Sequence, residues 1–177
     1  YGPYIVETVY HLYWNMKRTN SLGQKIGFEV EGWTRKEFPT KIVLEGSYCT
    51  LKPLNPQRHA LELFEANSKS PSGKMWTYLP MGPFDDLDRY NECLIHFSEA
   101  KNAVHFAIVD KKTERAVGTF CLTKINPENG VVEIGLVAFS PDLQRTTMST
   151  EACYLLMKYV FETLGYRRCE WKCDTFN

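Results

Sequence analysis

An α/β domain built on a mixed sheet is predicted from two patterns: three β-rich runs in succession between residues 104 and 139, and a strand, polar loop, helix and strand that follow to residue 174. Short turns join the first three runs into an antiparallel meander. The later unit needs a helical crossover, which implies that its two strands run parallel. Two helices ahead of the meander complete the set.

Residues 1 to about 35 show no clean hydrophobic period and carry breaks at Asn20-Ser21, Gly23 and Gly27. Residues 1–37 are therefore expected as an N-terminal arm or lead-in, with a single domain over 38–177. Lys41 to Leu54 reads as two short strands around a Glu45-Gly46 turn, ended by Pro53. Asn55 suits a helix cap and Pro56 the first helical position, with Ala60, Leu61 and Phe64 on a mostly apolar face. Ser68 to Gly73 is expected as a loop. Met75 to Phe84, broken by Pro80, Gly82 and Pro83, is expected as an irregular aromatic loop. Asp85 or Asp86 then caps a second helix to about Ala100, along which Leu87, Tyr90, Leu94 and Phe97 fall three or four apart.

The meander comprises Val104 to Val109, Ala116 to Thr123 and Val131 to Phe139, the last introduced by an Asn129-Gly130 turn. After Ser140-Pro141-Asp142-Leu143, the polar stretch Gln144-Arg145-Thr146-Thr147-Met148-Ser149-Thr150 leads into a helix with an apolar stripe at Ala152, Leu155, Leu156, Tyr159, Val160 and Leu164. Gly165 ends that helix, and Arg167 to Asp174 is the last strand. The polar stretch thus lies at a helix N-terminus, where unpaired N–H groups and the positive end of the helix dipole favour an anion such as a pyrophosphate.

Composition narrows the partners. Twenty-one basic residues balance 21 acidic ones, and no basic cluster exceeds a pair, so nucleic acid is not an expected partner. No apolar run approaches the roughly 20 residues a spanning helix needs, and Tyr1 to Lys25 lacks the apolar segment of a secretory signal. Neither a membrane nor secretion is expected, and the location predicted is cytoplasmic. The six cysteines contain no CxxC and have no histidine at zinc-ligand spacing, so they are read as buried, reduced thiols and no metal is expected. Cys169, Trp171 and Cys173 alternate, which on a strand places them together on one core face. His105 is read as a satisfied core residue.

The order of elements, with Leu44-Glu-Gly, Leu51-Lys-Pro-Leu, Trp76 to Phe84, Glu133-Ile-Gly, Gln144-Arg-Thr, Thr150-Glu-Ala, and Gly165 to Asp174 with Asn177, resembles the GNAT N-acetyltransferases. The branch it is most similar to is that of the ribosomal-protein N-terminal acetyltransferases. The resemblance covers about residues 38–177 and implies acetyl-CoA as co-substrate and an amine as acceptor, with direct transfer and no covalent intermediate. It also implies cofactor contacts from Val137, Ala138 and Phe139, where a gap after the strand lets the backbone pair with the pantetheine arm, from Gln144 to Thr150, and from Asn177. Trp76, Tyr78 and Phe84 correspond to the acceptor-side loop, or else pack that loop on the core.

Two departures accompany the resemblance. Thr147 and Ser149 stand where the family places small residues, which leaves the main-chain donors in place. In the family, the position of Asn177 opens a further helix and two more strands, so the chain is expected to represent the front part of the fold. Glu133 is the candidate general base, directly or through water. Its alternative is a strand-edge glutamate facing solvent or pairing with a lysine. Glu151 resembles a helix-start glutamate of the family, and the helix dipole alone also explains an acid there. Other readings of the whole chain are a catalytically silent CoA-binding or interaction module, a non-functional fragment, or an unrelated α/β domain.

Overall fold

The computed structural model describes residues 18–177. Residues 1–17, with much of the expected arm and of the segment read as lacking a secretory signal, lie outside the described residues. The chain divides into two compact units, Tyr1–Thr34 and Arg35–Asn177. In the first, Thr19 and Lys25 form an isolated antiparallel bridge. The second carries the fold.

Six strands form one sheet: β1 (Leu44–Glu45), β2 (Cys49–Pro53), β3 (Val104–Asp110), β4 (Ala116–Asn126), β5 (Val131–Phe139) and β6 (Arg168–Trp171), in that spatial order. All neighbouring pairs are antiparallel except β5 and β6, which run parallel. The helices are α1 (Pro56–Ser68), α2 (Leu87–Ser98) and α3 (Thr147–Lys158). The predicted meander, the helical crossover and the two earlier helices are all present.

Strand alternation decides which helix covers which face. Phe106 and Ile108 of β3 join Leu51, Phe120, Leu122 and Val132 in a cluster with Ala152, Leu156 and Val160 of the α3 side. Ala107 and Val109 point the other way, to Ala60 and Leu63 of α1 and Tyr90 and Leu94 of α2. Each large apolar side chain fully buried in these layers contributes about 1.5–3 kcal/mol. The caps follow local chemistry: Asn55 Oδ1 accepts from Arg58 N at 3.2 Å, and Asp86, rather than Asp85, accepts from Arg89 N at 2.8 Å.

Several local expectations need correction. Pro71–Trp76 forms two short 3₁₀ turns joined at a kink where loop is expected, with Ser72 and Gly73 in the kink at φ 56° and 66°. A proline's fixed φ suits such a start, and i to i+3 bonds make up the short run. β4 continues beyond Thr123 to Asn126. β6 stops at Trp171, so the alternation that would bury Cys173 stops too. Cys173 is exposed, as is Trp171, while Cys49 and Cys121 are buried and Cys93, Cys153 and Cys169 are half-buried. All six are free thiols. Glu151 lies in the second turn of α3, past the reach of a helix-start dipole.

Two tests address this core. A Cβ on Gly118 of β4 would stand 2.6 Å from Leu143 Cδ2 and 3.1 Å from the Ala138 carbonyl oxygen, with Leu143 fully buried. Gly118→Ala is expected to cost about 1–3 kcal/mol, read as a lower urea midpoint at unchanged slope. His105 stacks on Phe97 with ring centroids 4.7 Å apart and planes at 8°. Burial, helped by the positive fields of His96 and Lys41, holds its imidazole down to about 4 from the ordinary 6.5. Below 6.5 the unfolded chain takes up a proton that the folded chain refuses. The stability His105 contributes is thus complete above pH 6.5 and declines as pH falls toward 4. His105→Phe is expected to flatten that decline in urea unfolding between those pH values.

Candidate active site and cofactor cleft

β5 holds the site because its two edges are treated differently. Toward β4 it pairs Gly135 with Cys121 and then Ala138 with Thr119, so Leu136 and Val137 together oppose Phe120. This is a bulge, and Leu136 takes φ 49° within it. Toward β6 the parallel pairing ends at Ile134 and Trp171, while β5 runs on to Phe139. The two strands part there. A cleft of about 710 Å³ opens between them, lined by Glu133, the bulge, Phe139, Gln144, Lys172 and Asn177, with Met75, Tyr78 and Leu79 also along it.

Past Phe139 the chain turns into α3. Gln144 Nε2 donates to the Phe139 carbonyl at 2.8 Å, and Arg145 takes φ 59°. Thr146 caps the helix, accepting from Ser149 N at 3.2 Å while its hydroxyl donates to the Leu143 carbonyl at 2.7 Å. Thr147, Met148, Ser149 and Thr150 form the first turn of α3, so the polar bend leads directly into a helix flanked by the parallel strands β5 and β6. Within the bend Gln144 lines the cleft, whereas Thr146, Thr147 and Met148 line a shallow hollow beside Tyr48 and Lys111.

The aromatic residues separate. Tyr78 lines the cleft and its hydroxyl donates to the Phe176 carbonyl at 2.9 Å. Trp76 is buried and meets Phe84 and Tyr90 with centroids at 5.3 and 6.3 Å, so Trp76 and Phe84 pack the loop on the α1 and α2 layer. Ala138 has its side chain in that same layer.

Glu133 is 7% exposed and carries two partners. Lys124 Nζ of β4 donates to Oε1 at 3.1 Å and Oε2 at 2.9 Å, and Lys172 Nζ donates to Oε2 at 2.6 Å. Burial works to raise its carboxyl pKa, but the hydrogen bonds and charges of Lys172 and Lys124 outweigh it and hold the group below the ordinary carboxylate value. Glu133 is therefore an ionised, lysine-paired carboxylate at the cleft wall. No spacing in the sequence announces Lys124 or Lys172. Lys124 reaches Glu133 from an irregularity of β4 with φ 47° and Lys172 from just past the end of β6, and the left-handed backbone at Leu136 carries no glycine to mark it. Among the described residues, no group of three or more His, Cys, Asp or Glu could hold a metal ion, and no helix is long and apolar enough to cross a membrane.

A bulged strand parted from its parallel neighbour beside a helix N-terminus defines the class, and sequence comparison agrees with it. The chain belongs to the acetyltransferase (GNAT) domain family, whose profile matches residues 49–177. A GCN5-related N-acetyltransferase from Brucella melitensis superposes with a TM-score of 0.81 at 37% identity, covering 84% of this chain and 67% of that one. A protein from Chromobacterium violaceum ATCC 12472, described as a probable acetyltransferase of the GNAT family, gives 0.77 at 34% identity, over 87% of this chain and 76% of that one. The sequence is also 29% identical over 107 residues to an uncharacterized N-acetyltransferase, p20, of Bacillus licheniformis. That match spans 56% of this chain and 57% of the length of the curated relative.

Proposed function

We propose that this chain binds acetyl-CoA in the cleft between β5 and β6 and passes the acetyl group directly to a primary amine, either a protein N-terminus or a small-molecule amine. The observation that carries the reading is the edge of β5 from Gly135 to Phe139, which runs past the last β6 pair and along the cleft wall. A strand edge without a strand beside it has main-chain donors and acceptors to offer an extended amide-bearing arm. Val137, Ala138 and Phe139 pair with the pantetheine arm through their backbone. The main chain of Gln144 to Thr150, at the start of α3, holds the pyrophosphate. Asn177 lies along the same cleft. Tyr78 borders the acceptor's path, and Trp76 and Phe84 support its loop from beneath.

Acetyl-CoA supplies the thioester carbonyl that the amine attacks; the C–N bond forms, the C–S bond breaks, and CoA leaves as a thiolate that takes up a proton to become the free thiol. Glu133, whose two carboxylate oxygens are engaged by lysine ammonium groups in this structure, takes the amine's proton directly, as one of those lysines gives way, or through a water molecule. A protein α-amine, the acceptor of the ribosomal-protein branch, is the first substrate class to assay. A second reading, a CoA-binding module without turnover, is favoured by that same engagement of Glu133.

Thermal melting with acetyl-CoA tests the binding step. At one hundred times Kd a ligand of the native state adds about 2.7 kcal/mol, so Tm should rise by roughly 5 to 11 °C. A cooperative melt that does not move at millimolar acetyl-CoA would remove the cofactor reading. A shift accompanied by no acetylated amine would select the silent module.

A further inference from the structure

We propose that Lys172 is an internal surrogate for the acceptor's ammonium group: its Nζ occupies the place on Glu133 that an incoming amine must take, and so sets which amines reach the base. This inference rests on the acetyl-transfer reading of the cleft and deepens it.

The two lysines on Glu133 are not equivalent. Lys124 projects from β4 and spans both carboxylate oxygens at 3.1 and 2.9 Å. Lys172 follows β6, lines the cleft, and holds one oxygen at 2.6 Å. The Glu133 side chain is 10% exposed against 62% for Lys124 and 59% for Lys172, so the two lysines differ in position, Lys172 lining the cleft and Lys124 not, rather than in exposure. A carboxylate so enclosed needs one compensating charge, which Lys124 supplies from outside the cleft lining. The second ammonium is the exchangeable one.

Lys172 also has somewhere else to go. Strand register places Glu170 of β6 beside Glu133 of β5, and Lys172 Nζ bridges to Glu170 Oε2 at 3.1 Å. On leaving Glu133 it can keep that contact to Oε2, the other oxygen of Glu170 being held by Arg168 at 2.5 Å. The groups around the Glu133 carboxylate are then Lys124 and Cys121 of β4, with Glu170, Arg168 and Lys172 on the β6 side. Lys74 and Asp174 complete the charged lining of the cleft. A primary alkylammonium is chemically the same as the end of Lys172 and donates the same N–H bonds. A quaternary ammonium has none to donate, so the site selects protonated primary amines over quaternary ones.

The test is equilibrium binding, read on the side-chain carboxyl carbon of ¹³C-labelled glutamate, with Glu133 assigned by its loss in Glu133→Gln. Ethylammonium chloride is titrated into each protein at pH 7.5, with tetramethylammonium chloride as the ionic-strength control. In Lys172→Met and Lys172→Gln the Glu133 signal should saturate at an ethylammonium concentration about tenfold or more below that needed by wild type. Lys172→Arg keeps the competitor and should resemble wild type, and Lys124→Met should change the midpoint less than twofold. Equal midpoints in wild type and both neutral Lys172 variants overturn the inference, as does tighter binding in Lys124→Met than in Lys172→Met. Because nothing here requires turnover, loss of the acetyl-transfer reading would show separately, in the cofactor melt and in the rates of Glu133→Gln.

Discussion

Replacing Glu151 by alanine is expected to lower the stability of the domain by about 3 kcal/mol, or roughly 6 to 12 °C in Tm, more than a surface glutamate on a helix ordinarily costs. Its carboxylate accepts three consecutive main-chain N–H groups of the β1–β2 turn, from Ser47 at 2.6 Å, Tyr48 at 2.7 Å and Cys49 at 2.9 Å. This is an anion nest filled from within the protein, and it ties α3 to the far edge of the sheet. Gly46 makes the approach possible, since a Cβ there would stand 2.5 Å from the Glu151 carboxyl carbon. Glu151→Gln keeps one acceptor but turns an amide N–H₂ toward donors, so it should recover less than half of the loss.

The same contacts predict a pH dependence. Burial pushes the Glu151 carboxyl pKa up, but the bonds from Ser47, Tyr48 and Cys49 bring the net value below the ordinary 4.5. A depressed carboxylate stabilises the fold above its unfolded pKa, and that contribution is lost as pH falls through the folded one. The stability gap between wild type and Glu151→Ala in urea unfolding should therefore be full at pH 6 and narrow as pH falls below 4.5 through the depressed folded-state pKa. A gap that does not narrow at all between pH 6 and pH 2 would show that packing, not charge, holds the turn.

Glu133→Gln is expected to cut acetyl transfer at neutral pH by about a hundredfold or more, with little change in the melting response to acetyl-CoA. The lysines around Glu133 keep it ionised at every pH above the ordinary carboxylate range, so its own titration should limit the rate only below about pH 4.5. Above that, the rate should rise with the fraction of acceptor present as free amine. Removing either lysine weakens the hold on the charged form, so Lys124→Met or Lys172→Met should move the acid limb to higher pH. Unchanged rates in Glu133→Gln would eliminate the base assignment and leave Glu133 as a structural member of the β4–β5–β6 charge ladder.

Much of this architecture is legible along the chain because it depends on neighbours in sequence. Asn55 and Pro56 start α1 through their own side chain and ring, and Asn129-Gly130 turns β4 into β5 with Gly130 at φ 56°. The stripe of Ala152, Leu155 and Leu156 buries one side of α3, and Tyr159 and Val160 continue it in the π-helical turn Tyr159–Thr163 that follows. From these follow the meander, the crossover and the placing of a polar bend at a helix N-terminus. The residues proposed for the cleft are legible in a different way: the family resemblance names Val137 and Phe139 of β5 and Gln144 just beyond it, and the structure places all three along the cleft.

What the chain does not announce arises where groups distant in sequence meet. The register shift of β4 after the Thr123–Glu133 pair and the end of β6 after Trp171 put Lys124 and Lys172 on the Glu133 carboxylate, and no local pattern encodes which residues meet across three strands. Docking of α3 on β1 and β2 turned Glu151 from an apparent helix-end acid into the ligand of a turn roughly a hundred residues away. The packing of Trp76 and Phe84 against Tyr90 divided the aromatic loop between core and cleft. Sequence by itself determined the elements and their order, because hydrogen bonding and hydrophobic period are local. Charge pairing and depth of burial belong to the assembled sheet, since both depend on which surfaces the folded chain brings within a few ångströms of each other.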